Sequence, residues 1–307
     1  MPDALTKQVP TWVVVAAAAA MVGVVAAVAL ILRAPSTDEA DASAPRSPMR
    51  VHLFVDPAKV IHEPRFQFTF DGPEVLAGFR SEERLDEVVA GAKGDLEAFR
   101  ALNAWTRRQF EPGVPDPYPP FDARIILRDV RRGFTGGFCA QYNFVLGQAL
   151  MSLGYPARFV TVHHHEVLEA WLRQEHRWIC LDPLHAATYV DETGRPLSVL
   201  EIATRARRGE EPVPGPGSLP GTAGAVRDAF GLFAVWLRND LVTHPMNFTD
   251  IETYKVHFLF EGQKAPEGAL STSFPEDLYF APEEAATAGT TLETSSSSRG
   301  PRIRSSP

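Results

Sequence analysis

The 307-residue chain is poor in cysteine, with only Cys139 and Cys180. Two thiols cannot build a disulfide framework, so the fold must rest on apolar burial and hydrogen bonds, and each cysteine needs its own explanation. An excess of positive charge is also missing. Lys and Arg number 30 against 38 Asp and Glu, a formal net charge of -8. That leaves no broad basic footprint of the kind counterion release requires, and nucleic acid is not an expected partner. No residue pair stands at finger or metalloprotease spacing. His163 and His165 could share one face of a strand, but zinc normally takes three or four ligands, so no metal site is expected. No internal repeat is evident. What the sequence does have, 45% hydrophobic and 22% charged residues, is the balance of a globular protein with one sizeable core.

Long apolar runs are confined to the beginning. Trp12 to Leu32 (WVVVAAAAAMVGVVAAVALIL) carries no charge over 21 positions, which at about 1.5 Å per residue spans a bilayer core of roughly 30 Å. A transmembrane helix is expected there, after a short segment at 1–11. A cleaved signal peptide is the alternative, but its apolar region usually covers about 7 to 15 residues. Lys7 precedes the run and Arg33 directly follows it, with Arg46 and Arg50 further on, so flanking charge barely decides the orientation. The layout, a short leading segment before a large remainder, is that of a signal anchor and predicts an extracytoplasmic domain. Residues 33–49 are rich in Ala, Pro, Ser and Asp and read as a flexible linker. Residues 284–307 have the same character and read as a disordered tail. Between them, 50–283 is expected to form one domain.

The domain opens with two strand-like stretches, Val51 to Val55 and Phe66 to Phe70. Within Ser81 to Phe110, apolar residues recur at three-to-four spacing, with Gly91 and Gly94 marking a break between two helices. Glu111 to Phe121 holds five prolines and must be a loop. A helix is expected from Cys139 to Leu153, ended by Gly154 and Pro156. Strands follow at Ala157 to His163, Glu166 to Leu172 and Trp178 to Leu181, the last two joined by the polar turn RQEHR. One helix and three successive strands predict an α+β domain with an antiparallel sheet. Beyond Asp182 the spacing predicts a Pro/Gly-rich loop at Glu211 to Gly221, an amphipathic helix from Ala225 to Asp240, and a strand at Tyr254 to Phe260. This segment is expected to pack onto the preceding unit.

Three residues in this frame can carry chemistry. A thiol attacks as thiolate, and a cysteine at a helix N-terminus gains from unpaired backbone N–H groups and the macrodipole. Cys139 is predicted at such a point, with Gly136 and Gly137 before it to let the backbone turn and with its own N–H available to an oxyanion. A nucleophile needs a base, and the base needs a group to hold its tautomer. His165 begins one predicted strand and Asp182 ends the next, so a hairpin would bring them together at one end of the sheet.

The segments GGFCAQYNFVLGQALMSLGYPARFV, HEVLEAWL and RWICLDP resemble the core motif of the transglutaminase-like superfamily. Glycine before the cysteine, the Leu-Gly-x-Pro step, the histidine with glutamate four residues on, and Trp-x-x-x-Asp-Pro occur in order. The separations are 26 residues from Cys139 to His165 and 17 from there to Asp182. The resemblance covers residues 95 to 185. It implies a papain-like α+β scaffold with Cys139 as nucleophile, His165 as general base and Asp182 as orienting acid, and it implies no metal or organic cofactor. The chain departs from the pattern at Val167, where the family commonly has an aromatic residue. The implied activity is acyl transfer from a peptide or side-chain amide through a thioester, to water or to an amine. An extracytoplasmic location would make surface proteins or cell-wall peptides the substrates.

Blander readings stand beside these. Asp182 before Pro183 could be a turn former, and a lone cysteine is often an inert core residue. Cys180, on the same strand face as Asp182, is expected to be a small buried side chain, with a disulfide to Cys139 as the minor alternative. Glu169 reads as a solvated strand residue or the partner of an arginine. The alternative function is a catalytically inactive transglutaminase-like module that binds or scaffolds at the membrane surface.

Overall fold

The computed structural model describes residues 66–282. The expected transmembrane helix at Trp12–Leu32, the linker at 33–49, the strand at Val51–Val55 and the tail at 284–307 lie outside the described residues. Among the described residues no helix is long and apolar enough to cross a membrane.

The chain begins with a two-residue strand, β1 (Thr69–Phe70), followed by helices α1 (Ala77–Glu82), α2 (Leu85–Val89) and α3 (Asp95–Arg107). The break between α2 and α3 falls at Gly91 and Gly94, as the sequence predicts. After the proline-rich loop come α4 (Ala123–Arg131) and α5 (Cys139–Ser152). Strands β2 (Ala157–Val162), β3 (His165–Leu172), β4 (Arg177–Asp182) and β5 (Ala187–Thr188) form a meander, then α6 (Val199–Ala206) and the short α7 (Thr222–Ala225) follow. The described chain closes with β6 (Phe233–Trp236), β7 (Arg238–Asn239), β8 (Lys255–Phe258) and β9 (Leu270–Thr272).

Seven strands make one sheet in the order β5-β4-β3-β2-β6-β8-β9. Its ladders are antiparallel except at the β8–β9 edge. The domain is therefore α+β. The sheet is buried on both faces. Phe159, Leu168, Ala170, Ile179, Leu181 and Trp236 meet the helices on one side, and Val160, Val162, Val167, Cys180, Phe233 and Val235 meet α6 and its neighbours on the other.

The expected helix from Ala225 to Asp240 is not formed. Ala229–Gly231 is a single 3-10 turn, and Phe233–Trp236 is the strand β6, hydrogen-bonded between β2 and β8. A strand covered on both faces is apolar at successive positions, and Phe233, Val235, Trp236 and Leu237 thus mimic a broad helical stripe. The segment packs onto the preceding unit as expected, but it does so by extending its sheet and sharing its core. The expected strand at Phe66–Phe70 shrinks to β1, which pairs in parallel with β7 apart from the main sheet.

Helix α5 is the central element. Every one of its residues except Ala140 is buried, the condition of a helix enclosed on all sides. Gly147 permits the closest approach to the sheet, since a Cβ there would stand 2.7 Å from a ring carbon of Phe159. Gln148 spends its buried amide on the chain leading into α4, accepting from the Ala123 N–H at 2.8 Å and donating to the Phe121 carbonyl at 2.7 Å. Helix α4 itself starts on Asp122, whose carboxylate caps the N–H groups of Arg124 and Ile125.

On the opposite face an ion pair is fully enclosed. Arg158 reaches Glu169 Oε2 from Nε at 2.9 Å and from Nη2 at 2.6 Å, and donates from Nη1 to the Leu278 carbonyl at 2.5 Å. Glu169 Oε1 accepts from the Val199 N–H at 2.7 Å and the Tyr279 hydroxyl at 3.2 Å. Trp178 Nε1 donates to the Phe280 carbonyl at 3.0 Å. Of the two expectations for Glu169, the arginine partner is the one found, and solvation is not.

Candidate active site

Cys139 is the first residue of α5, only 8% exposed. At that position the N–H groups of the first turn have no partner within the helix. Gln141 accepts the Phe138 N–H through Oε1 at 3.1 Å, which fixes the entry of the chain. The stretch ahead of it is strapped to the proline-rich loop: Gly113 N–H donates to the Gly137 carbonyl at 2.8 Å, and Gly136 N–H to the Val114 carbonyl at 3.1 Å. A Cβ on Gly136 would lie 2.4 Å from the Val114 oxygen, and one on Gly137 would lie 2.7 Å from the Phe110 ring. These glycines serve close approach of two segments, not the tight turn expected of them.

His165 and Asp182 are brought together by the meander. Strands β2 and β3 are joined by His163 and His164 alone, with Val162 opposite His165 and His164 in a left-handed conformation at φ 57°. The short Arg173–Glu175 turn then returns the chain along β4 to Asp182. Nε2 of His165 lies 3.0 Å from Oδ2 of Asp182. The Cys139 thiol is near enough to the same ring to raise its proton affinity, and with Nε2 engaged by the carboxylate, Nδ1 is the ring nitrogen left to serve the sulfur. The three side chains singled out in the sequence thus gather in one region, with His165 bonded to Asp182 and influenced by Cys139.

Asp182 is fully buried and serves as a hub. Its Oδ2 also receives Nδ1 of His185 at 2.9 Å and the Tyr189 hydroxyl at 2.8 Å, while Oδ1 accepts the His185 N–H at 3.3 Å. Burial works against its charge, but the two imidazoles outweigh it and hold the carboxyl below its usual range. Burial likewise works against the imidazolium of His165. The charge and hydrogen bond of Asp182, then the Cys139 thiol, overcome this and raise His165 to about 10. Tyr189, buried beside Asp182, is pushed well above an ordinary phenol and stays a donor. The donor atoms of His165, Asp182 and His185 lie within 4.8 Å of one another, a convergence that their mutual hydrogen bonds account for. His163, paired with His165 in the sequence reading, instead sits exposed in the turn with its ring 3.7 Å from that of His164.

Sequence reasoning missed the supporting residues. His185 and Tyr189 stand three and seven positions past Asp182, and only the turn after β4 folds them back. Asn143, one turn beyond Cys139 on α5, donates Nδ2 to the Cys139 carbonyl at 2.8 Å and to the Glu166 carbonyl at 2.6 Å, tying the helix start to β3. Glu166 is pushed up to about 7 by burial, against the lowering effects of Lys255 and the Thr161 hydroxyl. Tyr118, from the proline-rich loop, is pushed up to about 12 by burial. Cys180 lies on β4 within the core, and both cysteines are free thiols. Comparison with protein-family models, with curated proteins and with solved structures finds no match.

Proposed function

We propose that the chain is a thiol-dependent acyl-transfer enzyme, a transglutaminase-like protein on a papain-like scaffold, acting on peptide or side-chain amides. The single observation that carries this reading is the His165–Asp182 bond, at a ring whose proton affinity the nearby Cys139 thiol also raises. The location that goes with it, a membrane tether at Trp12–Leu32 and an extracytoplasmic domain, rests on composition alone, and so does the choice of surface proteins or cell-wall peptides as substrates.

In this reading the proton shared by Cys139 and His165 rests on Nδ1, in line with the raised proton affinity of the ring, and the sulfur attacks the amide carbonyl carbon. The charge that develops on the carbonyl oxygen is met by the Cys139 N–H at the head of α5. His165 then returns its proton to the departing nitrogen, the C–N bond breaks, and a thioester remains on Cys139. Water or an amine, deprotonated by His165, attacks the thioester and restores the thiol. Asp182 keeps its charge throughout and holds the imidazolium.

The test has two parts. The protein is incubated with surface-protein and cell-wall peptide extracts, quenched in acid, and the peptide bearing Cys139 is weighed by mass spectrometry for an acyl adduct absent from Cys139→Ala. Alkylation of Cys139 by iodoacetamide is followed in parallel against His165→Ala. A rate unchanged by loss of the imidazole, together with no adduct, rejects the enzyme and leaves the binding module.

A further inference from the structure

A cleft of about 770 Å³, open solvent included, lies at the end of the sheet where β2 turns into β3. His163 and His164 from that turn, His257 from β8 and Lys264 from the loop after it all line it. Lys255 and Glu252 line it too, and they also line a smaller cleft bordered by Ala140 and Glu166, the residues directly after Cys139 and His165. The larger cleft therefore abuts the region of the thiol. Lys255 is already matched, since its Nζ donates to Glu252 Oε1 at 2.7 Å and its charge also opposes that of Glu166. No carboxylate other than Glu252 lines the larger cleft. Among the described residues, neither Lys264 nor any of the three imidazoles has an ion pair. A chain with a net charge of -8 thus holds a pocket whose surplus is positive.

Charge and layout together define the occupant. A metal ion does not fit, because the three imidazoles do not gather on a point: among the described residues, the set of three ligand atoms within 4.8 Å of one another is that of His165, Asp182 and His185. Donors spread around an open cleft suit a group with more than one acceptor atom. Burial, aided by Lys255 and opposed by Glu252, holds His257 below the ordinary imidazole range, and a neutral ring still offers one N–H. The rings of His163 and His164 stand 3.7 Å apart, so protons on both repel unless an anion stands near. Lys264 brings the fixed charge, and apolar walls from Leu232, Phe233, Phe258 and Pro266 focus its field. We propose that this cleft binds a carboxylate on an apolar stem, with the carboxylate at Lys264 and the imidazoles and the stem against the apolar walls. The acyl-transfer reading enters only in making that carboxylate part of the amide substrate; binding itself does not depend on it. Two sources offer this chemistry, an acidic side chain and a free C-terminus.

The experiment uses the full chain carrying Cys139→Ala, so that it reads binding whether or not acyl transfer occurs. The buffer is bis-Tris at low salt, which brings no carboxylate or phosphate to compete. Calorimetric titrations compare two pairs, Nα-acetyl-glutamate methylamide with its glutamine analogue, and Nα-acetyl-leucine with Nα-acetyl-leucinamide. At least one acid is expected to bind about fivefold or more tightly than its neutral amide. A preference in the first pair supports an acidic side chain as the source, one in the second pair alone a free C-terminus, and one in both pairs either group. Lys264→Met combined with His257→Gln is expected to erase the preference, with thermal melting as the check on folding. Lys93→Met, which removes an exposed lysine outside the cleft, is expected to leave it intact. No preference in either pair, a preference that survives the combined change, or an equal loss in Lys93→Met overturns the proposal.

Discussion

Nε2 of His165 stands 3.0 Å from Oδ2 of Asp182, and that one carboxylate oxygen is also the target of His185 and Tyr189. The carboxylate therefore keeps an oriented set of donors even as the His165 ring gains or loses its second proton, which is what a tautomer-fixing group must do. Asp182→Asn removes the charge while keeping the shape. Alkylation of Cys139 at neutral pH is expected to slow about tenfold or more, because an uncharged amide no longer supports an imidazolium on His165 beside the sulfur. Unchanged alkylation would show that the carboxylate does nothing for the sulfur.

Tyr189→Phe deletes one donor to Asp182 without opening a cavity. The expected cost is about 1 kcal/mol in urea unfolding. A severalfold drop in the alkylation rate should accompany it, and a variant that loses stability alone would mark Tyr189 as structural only.

The raised proton affinity of His165 makes stability depend on pH. In the unfolded chain the ring titrates near 6.5, whereas the folded ring holds its proton to about 10. Its contribution is thus complete below about 6.5, and is lost as pH rises through about 10, since the folded state binds more protons within that window. Melting temperature should fall across this range in the native chain and much less in His165→Gln. A rise in melting temperature with pH over the same range would contradict the sign.

The enclosed Arg158–Glu169 pair gives a sharper stability contrast. Glu169→Gln leaves a guanidinium at 0% exposure without its counter-charge and is expected to cost about 3 kcal/mol or more. The double change Arg158→Met with Glu169→Leu should recover much of that loss. Urea unfolding of both variants measures it, and additive losses in the double variant would show that the pair is not coupled.

Gly136→Ala places a methyl 2.4 Å from the Val114 oxygen and 2.6 Å from the Gly113 carbonyl carbon. Backbone cannot yield as a side-chain tip does, so the strap between the proline-rich loop and the head of α5 should open. Faster proteolytic cleavage within residues 111–121 is the expected readout, with little change in global melting.

Much of the site's frame was legible in the chain because it is punctuated. Helix α5 ends at Gly154 and Pro156, the turns between the three central strands are short and polar, and the bounds of β2, β3 and β4 fall within a residue of expectation. Strand β6 was not legible, because burial on both faces removes the alternation that marks a strand. The capping box at Ser198 and Glu201, where each side chain serves the other's backbone N–H, is a local sign of α6 carried by the sequence itself. Asn143 and Glu166 looked like ordinary helix and strand residues. Asn143 ties the head of α5 to β3, and both residues line a cleft that forms only once Trp236 and Phe248 arrive from far along the chain.

The Arg158 cluster sets where the domain can be cut. Leu278 and Tyr279 complete the shell around the guanidinium, and Phe280 receives the Trp178 indole. A shortened version stopping ahead of Leu278 would strip three partners from the underside of the central strands at once. Water would enter beneath β2 and β4, the strands that carry the chain to His165 and to Asp182. The turn at Pro275–Asp277 and the residues directly after it are therefore a seal, and a crystallisable fragment has to run past Phe280.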